Sequence, residues 1–308
     1  MTTTSSSGPL PRDRYPATDA EVAGFARSLG IPGIIDLHVH ALPERLQRAV
    51  WRYFDRLEDP PWPIVYRETE PTRFELLRDL GVLAHTALAY AHRPGMAANL
   101  NEHTLALAEQ YEQVIPTFTF HPEDGVADYV DAALGRGGAV AKVHLQVGRF
   151  HATDRRLDPV WRMLSRMQVP VVIHVGAVYG VDGGAEYCGA DELRRLLDRH
   201  PDVVLVVAHV GTPDFRDFVQ LAEEVPGLWM DTAMAFGDPP YLGEFPGDLL
   251  DRLRAMVDRV VFGSDFPSIP RPVSSQLRGL ARLELDQQQM AGLLHDNAVR
   301  LLSRRRLD

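Results

Sequence analysis

Eight short apolar segments rich in β-branched residues recur along the 308-residue chain, and most are apolar on both faces. Runs of this kind are typical of parallel strands that are buried on both sides. Helical patterns lie between successive runs, so a strand followed by a helix is the repeating unit. This alternation predicts a single α/β domain, a (β/α)8 TIM barrel. The predicted strands are 34–40, 82–90, 114–120, 139–145, 169–175, 203–210, 228–234 and 260–265.

The rival architecture is an open, doubly wound sheet, which usually carries a glycine-rich phosphate-binding turn after its first strand. No such turn follows segment 34–40, and this favours the barrel. A barrel of this kind needs about 250 residues, so one domain over 19–308 accounts for most of the chain. The predicted helices are 72–80, 99–113, 159–167, 191–200, 214–224, 247–257, 274–283 and 286–302.

Two segments lie outside the regular repeat. Residues 1–18 are small, polar and proline-containing, without the apolar run of a signal peptide, and they predict a disordered tail before a short helix over 20–29. The first crossover, 41–81, is longer than the others and carries Trp51, Trp62 and a D-P-P-W-P run. We expect this insertion to cover the barrel mouth as a lid or to form the contact of a homodimer.

The amino-acid composition limits the classes of molecule that the protein is expected to bind. The net charge of −10 makes nucleic acid and anionic membranes poor partners, which leaves a small-molecule substrate. No stretch approaches the ~18 apolar residues of a membrane span. The single cysteine, Cys188, cannot form an internal disulfide, which suits a reducing cytoplasm.

Histidines and an aspartate stand near the carboxyl ends of the predicted strands. His38 and His40 alternate on the first strand, so both imidazoles point to one face. His174 and His209 stand near the ends of the fifth and sixth strands, and Asp265 closes the eighth. In a barrel these ends converge, and active sites lie there. Imidazoles with a carboxylate suit Zn²⁺, with Mn²⁺, Fe²⁺ and Co²⁺ as rivals, so the pattern predicts a site for one divalent metal ion.

Several motifs resemble those of a known superfamily. The I-D-L-H-V-H of 35–40 resembles the first-strand motif of the amidohydrolase superfamily. The G-S-D-F-P of 263–267 and the D-N-A-V-R-L-L of 296–302 resemble the amidohydrolase-related subgroup that includes aminocarboxymuconate-semialdehyde decarboxylase. The resemblance covers about residues 30–303, nearly the whole chain.

The resemblance implies specific roles. His209 would stand outside the ligand set or polarise the substrate, and Asp265 would also take the proton of the metal-bound water. A bound divalent ion lowers the pKa of water to about 7, which agrees with such a role for a neighbouring carboxylate. The ligands that the resemblance implies for one catalytic metal ion are His38, His40, His174 and Asp265.

Lys142 leaves two alternatives open. In two-metal members of the superfamily a lysine at this place is carbamylated and bridges two ions, and His174 and His209 would then hold the second ion. Alternatively, Lys142 is a plain cation that pairs with a substrate carboxylate or with Asp265. We favour one metal ion, because a bare ammonium would repel a second cation.

Other polar residues have weaker assignments. Asp36 lies one step deeper in the barrel than His38 and is a candidate to orient an imidazole, with a serine or backbone groups as the alternative. Asp231, near the end of the seventh strand, either lines the pocket or caps a helix. Arg93, His144 and Tyr179 are candidate substrate contacts, and packing or a solvated loop is the alternative for each.

The predicted function is that of a metal-dependent hydrolase, which uses activated water on an amide, ester or lactone of a small molecule, with a carboxylated substrate as one version. The first alternative is a metal-dependent, non-oxidative decarboxylase of an aromatic or muconate-type acid. The second is a barrel without catalysis that serves as a binding protein. Hydrolase and decarboxylase use the same ligand set, and the intact H-x-H together with Lys142 favours hydrolysis.

Overall fold

The structure is a computed structural model that describes residues 8–178, 181, 183–241 and 243–306. Within these residues the chain forms nine strands and thirteen α-helices, joined by short 3₁₀ and π turns. The strands are β1 (Ile34–Asp36), β2 (Val82–Thr86), β3 (Val114–Ile115), β4 (Thr117–Thr119), β5 (Val140–His144), β6 (Val171–His174), β7 (Leu205–Val207), β8 (Trp229–Asp231) and β9 (Val260–Val261). The helices are α1 (Val22–Ser28), α2 (Glu44–Phe54), α3 (Glu70–Asp79), α4 (Ala97–Gln110), α5 (Val126–Gly135), α6 (Leu145–Gly148), α7 (Asp158–Met167), α8 (Ala190–Arg199), α9 (Phe215–Glu224), α10 (Leu250–Ala255), α11 (Val273–Gly279), α12 (Gln287–Ala291) and α13 (Asn297–Leu302).

Parallel pairing in chain order joins the strands into a barrel. Pro116 separates β3 from β4, and these two together form the third barrel strand. Backbone hydrogen bonds close the ring between its first and last strands: the N–H of Leu37 donates to the carbonyl of Phe262 at 3.0 Å, and that of Asp265 donates to the carbonyl of His38 at 2.8 Å. The predicted (β/α)8 TIM barrel is confirmed, since each of the eight predicted segments contains a barrel strand.

The two faces of the strands pack into separate cores. Successive side chains of a strand point to opposite faces. Along β5, Val140 belongs to a cluster inside the barrel, whereas Ala141 and Val143 belong to the larger core shared with the helices. Lys142 and His144 follow the inward parity of Val140, which brings both side chains to the barrel axis. The barrel interior is therefore apolar below the level of Lys142 and polar at its mouth.

Some helices differ from their predicted form. The helix predicted over 20–29 starts with a 3₁₀ turn, Asp19–Glu21, and continues as α1, without a side-chain cap. Segment 286–302 is divided by a π turn between α12 and α13. Three helices, α2, α5 and the four-residue α6, were not predicted. In helix α2 Gln47 is the only fully buried residue, and Leu46 and Val50 pack, partly buried, against a small core cluster. Among the helices of the described residues, none combines the length and apolar composition needed to span a bilayer.

The segment before α1 packs against the barrel from residue 10 onwards, which corrects the prediction of a disordered tail over residues 8–18. Leu10 and Tyr15 are buried, and the N–H of Leu10 donates to the carbonyl of Leu285 at 2.8 Å. Arg278 donates to the carbonyl of Ala17 at 2.7 Å. The ordering comes from partners at the other end of the sequence, which the local composition does not show. Residues 1–7 of the predicted tail lie outside the described residues.

Tyr15 allows a test of this packing. Its ring lies 5.3 Å from that of Phe25, and its buried hydroxyl has no hydrogen-bond partner within the described part of the chain. We expect Tyr15→Ala to lower the free energy of unfolding by about 3 kcal/mol, as for other large-to-small core changes. Tyr15→Phe should change it by less than about 1 kcal/mol, because no hydrogen bond is lost. Denaturant unfolding measures both, with the exposed Arg14→Ala as control; an unaffected Tyr15→Ala would contradict the packing.

Candidate active site

Polar side chains meet at the carboxyl ends of the barrel strands. The Nε2 atom of His40 lies 3.0 Å from Oδ1 of Asp265, and Nε2 of His38 lies 3.6 Å from the same oxygen. His38, His209 and Asp265 each offer a ligand atom, and these three atoms lie within 4.8 Å of one another. The structure thus brings together the first, sixth and eighth barrel strands, as the sequence predicts. It also places His209 inside the group, whereas the sequence resemblance implies a position outside the ligand set.

Hydrogen bonds orient three of the imidazoles. Nδ1 of His40 lies 3.1 Å from the carbonyl oxygen of Leu88, and Nδ1 of His209 lies 2.8 Å from that of Ala233. A carbonyl oxygen only accepts, so Nδ1 carries the proton in both rings and Nε2 keeps its lone pair. Nδ1 of His38 is held in the same way by a carboxylate oxygen 2.9 Å away. All three Nε2 lone pairs therefore point into the site.

This tautomer pattern fits a metal ion. Burial, followed by the charge of Lys142, holds the pKa of His38 well below its ordinary value, so the ring is neutral. An unprotonated Nε2 of His40 and an oxygen of Asp265 are both acceptors, and at 3.0 Å they repel one another unless a cation lies between them. Neutral imidazoles and a carboxylate are the ligands that Zn²⁺ and similar divalent ions take in proteins. The donor set therefore suits one divalent ion.

Asp265 remains an anion at this site. Burial acts to raise the pKa of Asp265, but the neighbouring imidazoles of His40, His209 and His38 have the larger, opposite effect, and the net pKa lies well below its ordinary value. Its side chain is 23% exposed, so it is the ligand candidate most open to the cavity. A carboxylate with this exposure is available both to a metal ion and to a proton.

Lys142 lies beneath the histidines. Its Nζ is 3.2 Å from Nε2 of His38, close enough to donate a hydrogen bond to that lone pair. Burial lowers the pKa of Lys142 to about 8, although Asp231 and Asp265 act in the opposite direction. The ammonium lies inside the barrel beside His38, and the alternatives of a carbamate or of a cation that pairs with a substrate carboxylate or with Asp265 stay predictions.

Asp231 is the carboxylate that orients His38, so the expectation that Asp36 does this is wrong. Oδ2 of Asp231 accepts from His38 Nδ1, and its Oδ1 accepts the backbone N–H groups of His209 at 2.8 Å and of Ala233 at 3.1 Å. Asp36 instead accepts the backbone N–H groups of His38 at 3.0 Å and Ser264 at 3.1 Å. In the sequence, Asp231 could be recognised by its position as an acidic residue at the end of an apolar strand.

The backbone is strained where the site is built. His209, Val210 and Asp265 have φ values of 57°, 51° and 64°, in the left-handed region that non-glycine residues rarely adopt. Each such residue costs about 1–3 kcal/mol and persists only where the surroundings hold it. The bond from His209 N–H to Asp231 is one such restraint. Strain of this kind is typical of functional sites.

His174 is held by stacking. Its ring lies face to face with that of His144, with centroids 3.9 Å apart and an interplanar angle of 13°, because the two residues are partners in the β5–β6 ladder. His174 also contacts His209 edge-on at 4.8 Å. Within the described residues its ring nitrogens have no hydrogen-bond partner. His174 therefore lies beside His38, His209 and Asp265, but outside the group whose ligand atoms are within 4.8 Å of one another.

Two adjoining cavities open above these residues. The larger has a volume of about 330 Å³ and the smaller about 100 Å³, and His174, His209 and Asp265 line both. The first crossover supplies Phe54 and Trp62 to the wall of the larger cavity, so it covers the barrel mouth as expected of a lid. His174, His209 and Asp265 thus form part of the floor of a partly open space.

The remaining predicted residues fall in different places. His144 lines the smaller cavity, as expected of a substrate contact. Arg93 is exposed and lines neither cavity. Tyr179 lies outside the described residues. Burial raises the pKa of Cys188 to about 11, so its thiol is a poor nucleophile.

Solved structures show the same fold. An uncharacterised TIM-barrel protein from Bordetella bronchiseptica is 20% identical, with a TM-score of 0.70 over 88% of this chain and 98% of its own. A 5-carboxyvanillate decarboxylase from Sphingomonas paucimobilis is 14% identical, with a TM-score of 0.62 over 89% and 99%. A dihydroorotase from Campylobacter jejuni is 15% identical, with a TM-score of 0.53 over 88% and 83%. At these identities the likeness concerns the fold alone.

A search of curated proteins finds no match. The family model described as Amidohydrolase, however, matches residues 35–304, from the first barrel strand to the last helix. That range includes every residue of the site described above. Because the match extends over most of the sequence, the chain belongs to the amidohydrolase family.

Proposed function

We propose that the protein is a metal-dependent hydrolase that acts on an ester, amide or lactone of a small molecule. The observation that carries this proposal is the tautomer pattern: the Nδ1 protons of His38, His40 and His209 are all committed to acceptors, so three Nε2 lone pairs face the carboxylate of Asp265. Among divalent ions, Zn²⁺ is our first choice for this borderline donor set, ahead of Mn²⁺, Fe²⁺ and Co²⁺.

The ion would be held by His38, His40, His209 and Asp265, with His174 beside them. When bound, a divalent ion supplies a Lewis acid and lowers the pKa of water to about 7. The ligand set that the sequence resemblance implies differs in one respect, since it includes His174 and leaves out His209. The hydrogen bond from His209 to Ala233 supports its inclusion, because it aims Nε2 of His209 into the group.

Asp265 is the residue placed to move a proton. Its carboxylate faces both cavities and remains ionised, so it can accept a proton from an attacking water and return that proton to the leaving group. If Nε2 of His38 gives to an ion the lone pair that Lys142 contacts, the ammonium of Lys142 is then free to stabilise negative charge that develops on the substrate oxygen. The apolar walls of the cavity exclude water and strengthen both interactions.

The decarboxylase and the non-catalytic binding protein are the competing functions. A decarboxylase would use the same ion, because a divalent cation can also hold the carboxylate of an acid. Among the described residues, Lys142 is the only lysine or arginine that lines either cavity, so a substrate with a second carboxylate finds few cationic partners there. A binding protein has no need of strained backbone at Asp265 and His209. A screen of esters, amides and lactones that records carbon dioxide separately tests all three.

Metal removal is the first test of the hydrolase. Dialysis against a chelator should abolish hydrolysis, and one equivalent of Zn²⁺ should restore it, because water is not activated without the ion. His209→Ala should lower both metal content and turnover by at least about 100-fold, whereas the exposed His151→Ala should change neither. Full activity of the metal-free protein would contradict the proposal. Two ions per chain with a carbamate on Lys142, seen as added mass, would contradict a single-ion site.

The two buried carboxylates give a matched pair of variants. In Asp231→Asn the amide can donate to Nδ1 of His38, which moves the ring proton to Nε2 and removes a metal ligand. We expect metal affinity to fall by about 10–100-fold, as for other partners that orient metal-binding histidines. Asp36→Asn keeps an oxygen for the same two backbone N–H groups and should retain the affinity. Chelator competition measures both, and equal losses would contradict the role of Asp231.

Stacking between His144 and His174 can be tested without removing a ring. His144→Phe keeps a flat surface against His174 and should retain turnover, whereas His144→Ala leaves His174 free to rotate at the cavity and should lower turnover by about tenfold. Because His174 lies outside the proposed ligand set, the absorption spectrum of the Co²⁺-loaded protein should be the same in both variants. A loss in His144→Phe equal to that in His144→Ala would show that a nitrogen of His144, and not its ring plane, is needed.

A further inference from the structure

We propose that the larger cavity selects substrates whose reactive carbonyl is attached to a flat, uncharged aromatic group, and that Trp62 is the main residue determining this specificity. The inference rests on the proposed hydrolase function for the reacting centre. The selectivity itself depends only on the shape and the charge of the cavity wall. The carbonyl would face the floor of histidines and Asp265, and the aromatic group would lie against the wall that the first crossover provides.

Trp62 presents a rigid flat surface. Its side chain stacks on that of Phe54, with ring centroids 5.2 Å apart and an interplanar angle of 18°. Its indole N–H donates to the carbonyl oxygen of Ser268 at 2.8 Å, which fixes the ring against the segment that follows the eighth barrel strand. The residue is 8% exposed, so the remaining open face belongs to the cavity. A ring held on two sides loses little entropy when a ligand stacks on it.

The cavity continues as an apolar space around this ring. Tyr241 lies 6.4 Å from Trp62 at an angle of 34°, and its ring is covered by the guanidinium group of Arg271 at 5.8 Å. Phe215 and Met234 line the same cavity. Its volume of about 330 Å³ is at the small end of ligand pockets, which usually measure about 300–1,000 Å³. A single substituted ring is the kind of group that such a space accommodates.

The charge of the wall excludes anions. Apart from histidines and Tyr241, the ionisable side chains among the described residues that line this cavity are Asp265 and Glu244, which both carry negative charge when ionised. Arg282 pairs with Glu244 at 3.0 Å, and Lys142, which lines the neighbouring cavity, donates to His38. A carboxylate on the far end of a substrate would therefore lose its water without gaining a cation. Burial of an unpaired charge is strongly unfavourable.

Two ketones of similar shape test this inference without any hydrolysis. In 4-isopropylacetophenone the far end of the ring is apolar, and in 4-acetylbenzoate it is anionic. A ketone has no leaving group that a hydrolase could release, and in the metal-free protein no ion is present to bind the carboxylate, so calorimetry with the metal-free protein measures binding to the cavity wall alone. We expect the isopropyl compound to bind at least about tenfold more tightly, because the carboxylate has no cationic partner. Equal or tighter binding of 4-acetylbenzoate would overturn the proposal.

Variants of the wall identify the selecting residue. Trp62→Leu should weaken binding of 4-isopropylacetophenone by about tenfold, whereas Trp62→Phe should keep most of it, because a flat ring remains. Trp51→Leu is the matched control, since Trp51 lies in the same crossover but outside this cavity, and it should not change the affinity. Thermal unfolding of each variant shows whether it is folded. A folded Trp62→Leu with unchanged affinity would overturn the role of Trp62.

A charge reversal completes the test. Glu244 is largely exposed, so Glu244→Lys should fold, and it should shift the preference towards 4-acetylbenzoate by placing a cation at the cavity. An unchanged preference would contradict the proposal that the charge of the cavity wall disfavours anionic ligands. Because ketone binding needs no turnover, a protein that selects the neutral ketone but hydrolyses nothing would refute the hydrolase and leave the selectivity intact. Hydrolysis without that selectivity would support the hydrolase and refute the proposed selectivity of the cavity.

Discussion

The buried carboxylate of Asp231 is the interaction on which the site depends. One of its oxygens accepts the imidazole proton of His38, and the other accepts the backbone N–H groups of His209 and Ala233. A carboxylate removed from water is tolerated only when its oxygens are paired, so these partners are held where the charge requires them. The ring orientation on the first strand and the left-handed backbone at the end of the sixth follow from the same group. The positions of two metal-ligand candidates, His38 and His209, therefore depend on this one carboxylate.

The barrel and the core of its site could be predicted because both follow from simple periodicities. Alternation along a strand places His38 and His40 on one face, and parallel strands bring their carboxyl ends, with Asp265, to one edge. The choice of Asp231 over Asp36 could not be predicted, since both are acids on apolar strands. It depends on which strand end approaches the ring of His38 in space. The stack of His144 on His174 likewise depends on the register of β5 and β6.

Features whose partners lie far away in sequence were missed for physical reasons. Helix α2 is amphipathic, with Leu46, Val50 and Phe54 on one face, but that face meets no single core. Leu46 and Val50 pack against a small cluster that includes Ala97 and Leu100, and Phe54 faces a cavity. The segment around Leu10 and Tyr15 is polar in composition, and its two buried residues find their partners far away in sequence. In each case the missing information was a contact between distant parts of the chain.

The contacts between the two ends of the barrel sequence also determine when the site can exist during folding. Asp19 accepts the N–H of Ser274 at 2.9 Å, 255 residues away, and the N–H of Asp265 donates to His38 across the closed ring. Closing so long a loop is entropically unfavourable until the intervening strands have assembled. We therefore expect the first and the eighth barrel strands to pair late in folding. His38 and His40 come from the first of these strands, and Asp265 comes from the end of the eighth. A chain still emerging from the ribosome holds the two histidines of the first strand without their aspartate, so the complete site is a property of the finished barrel.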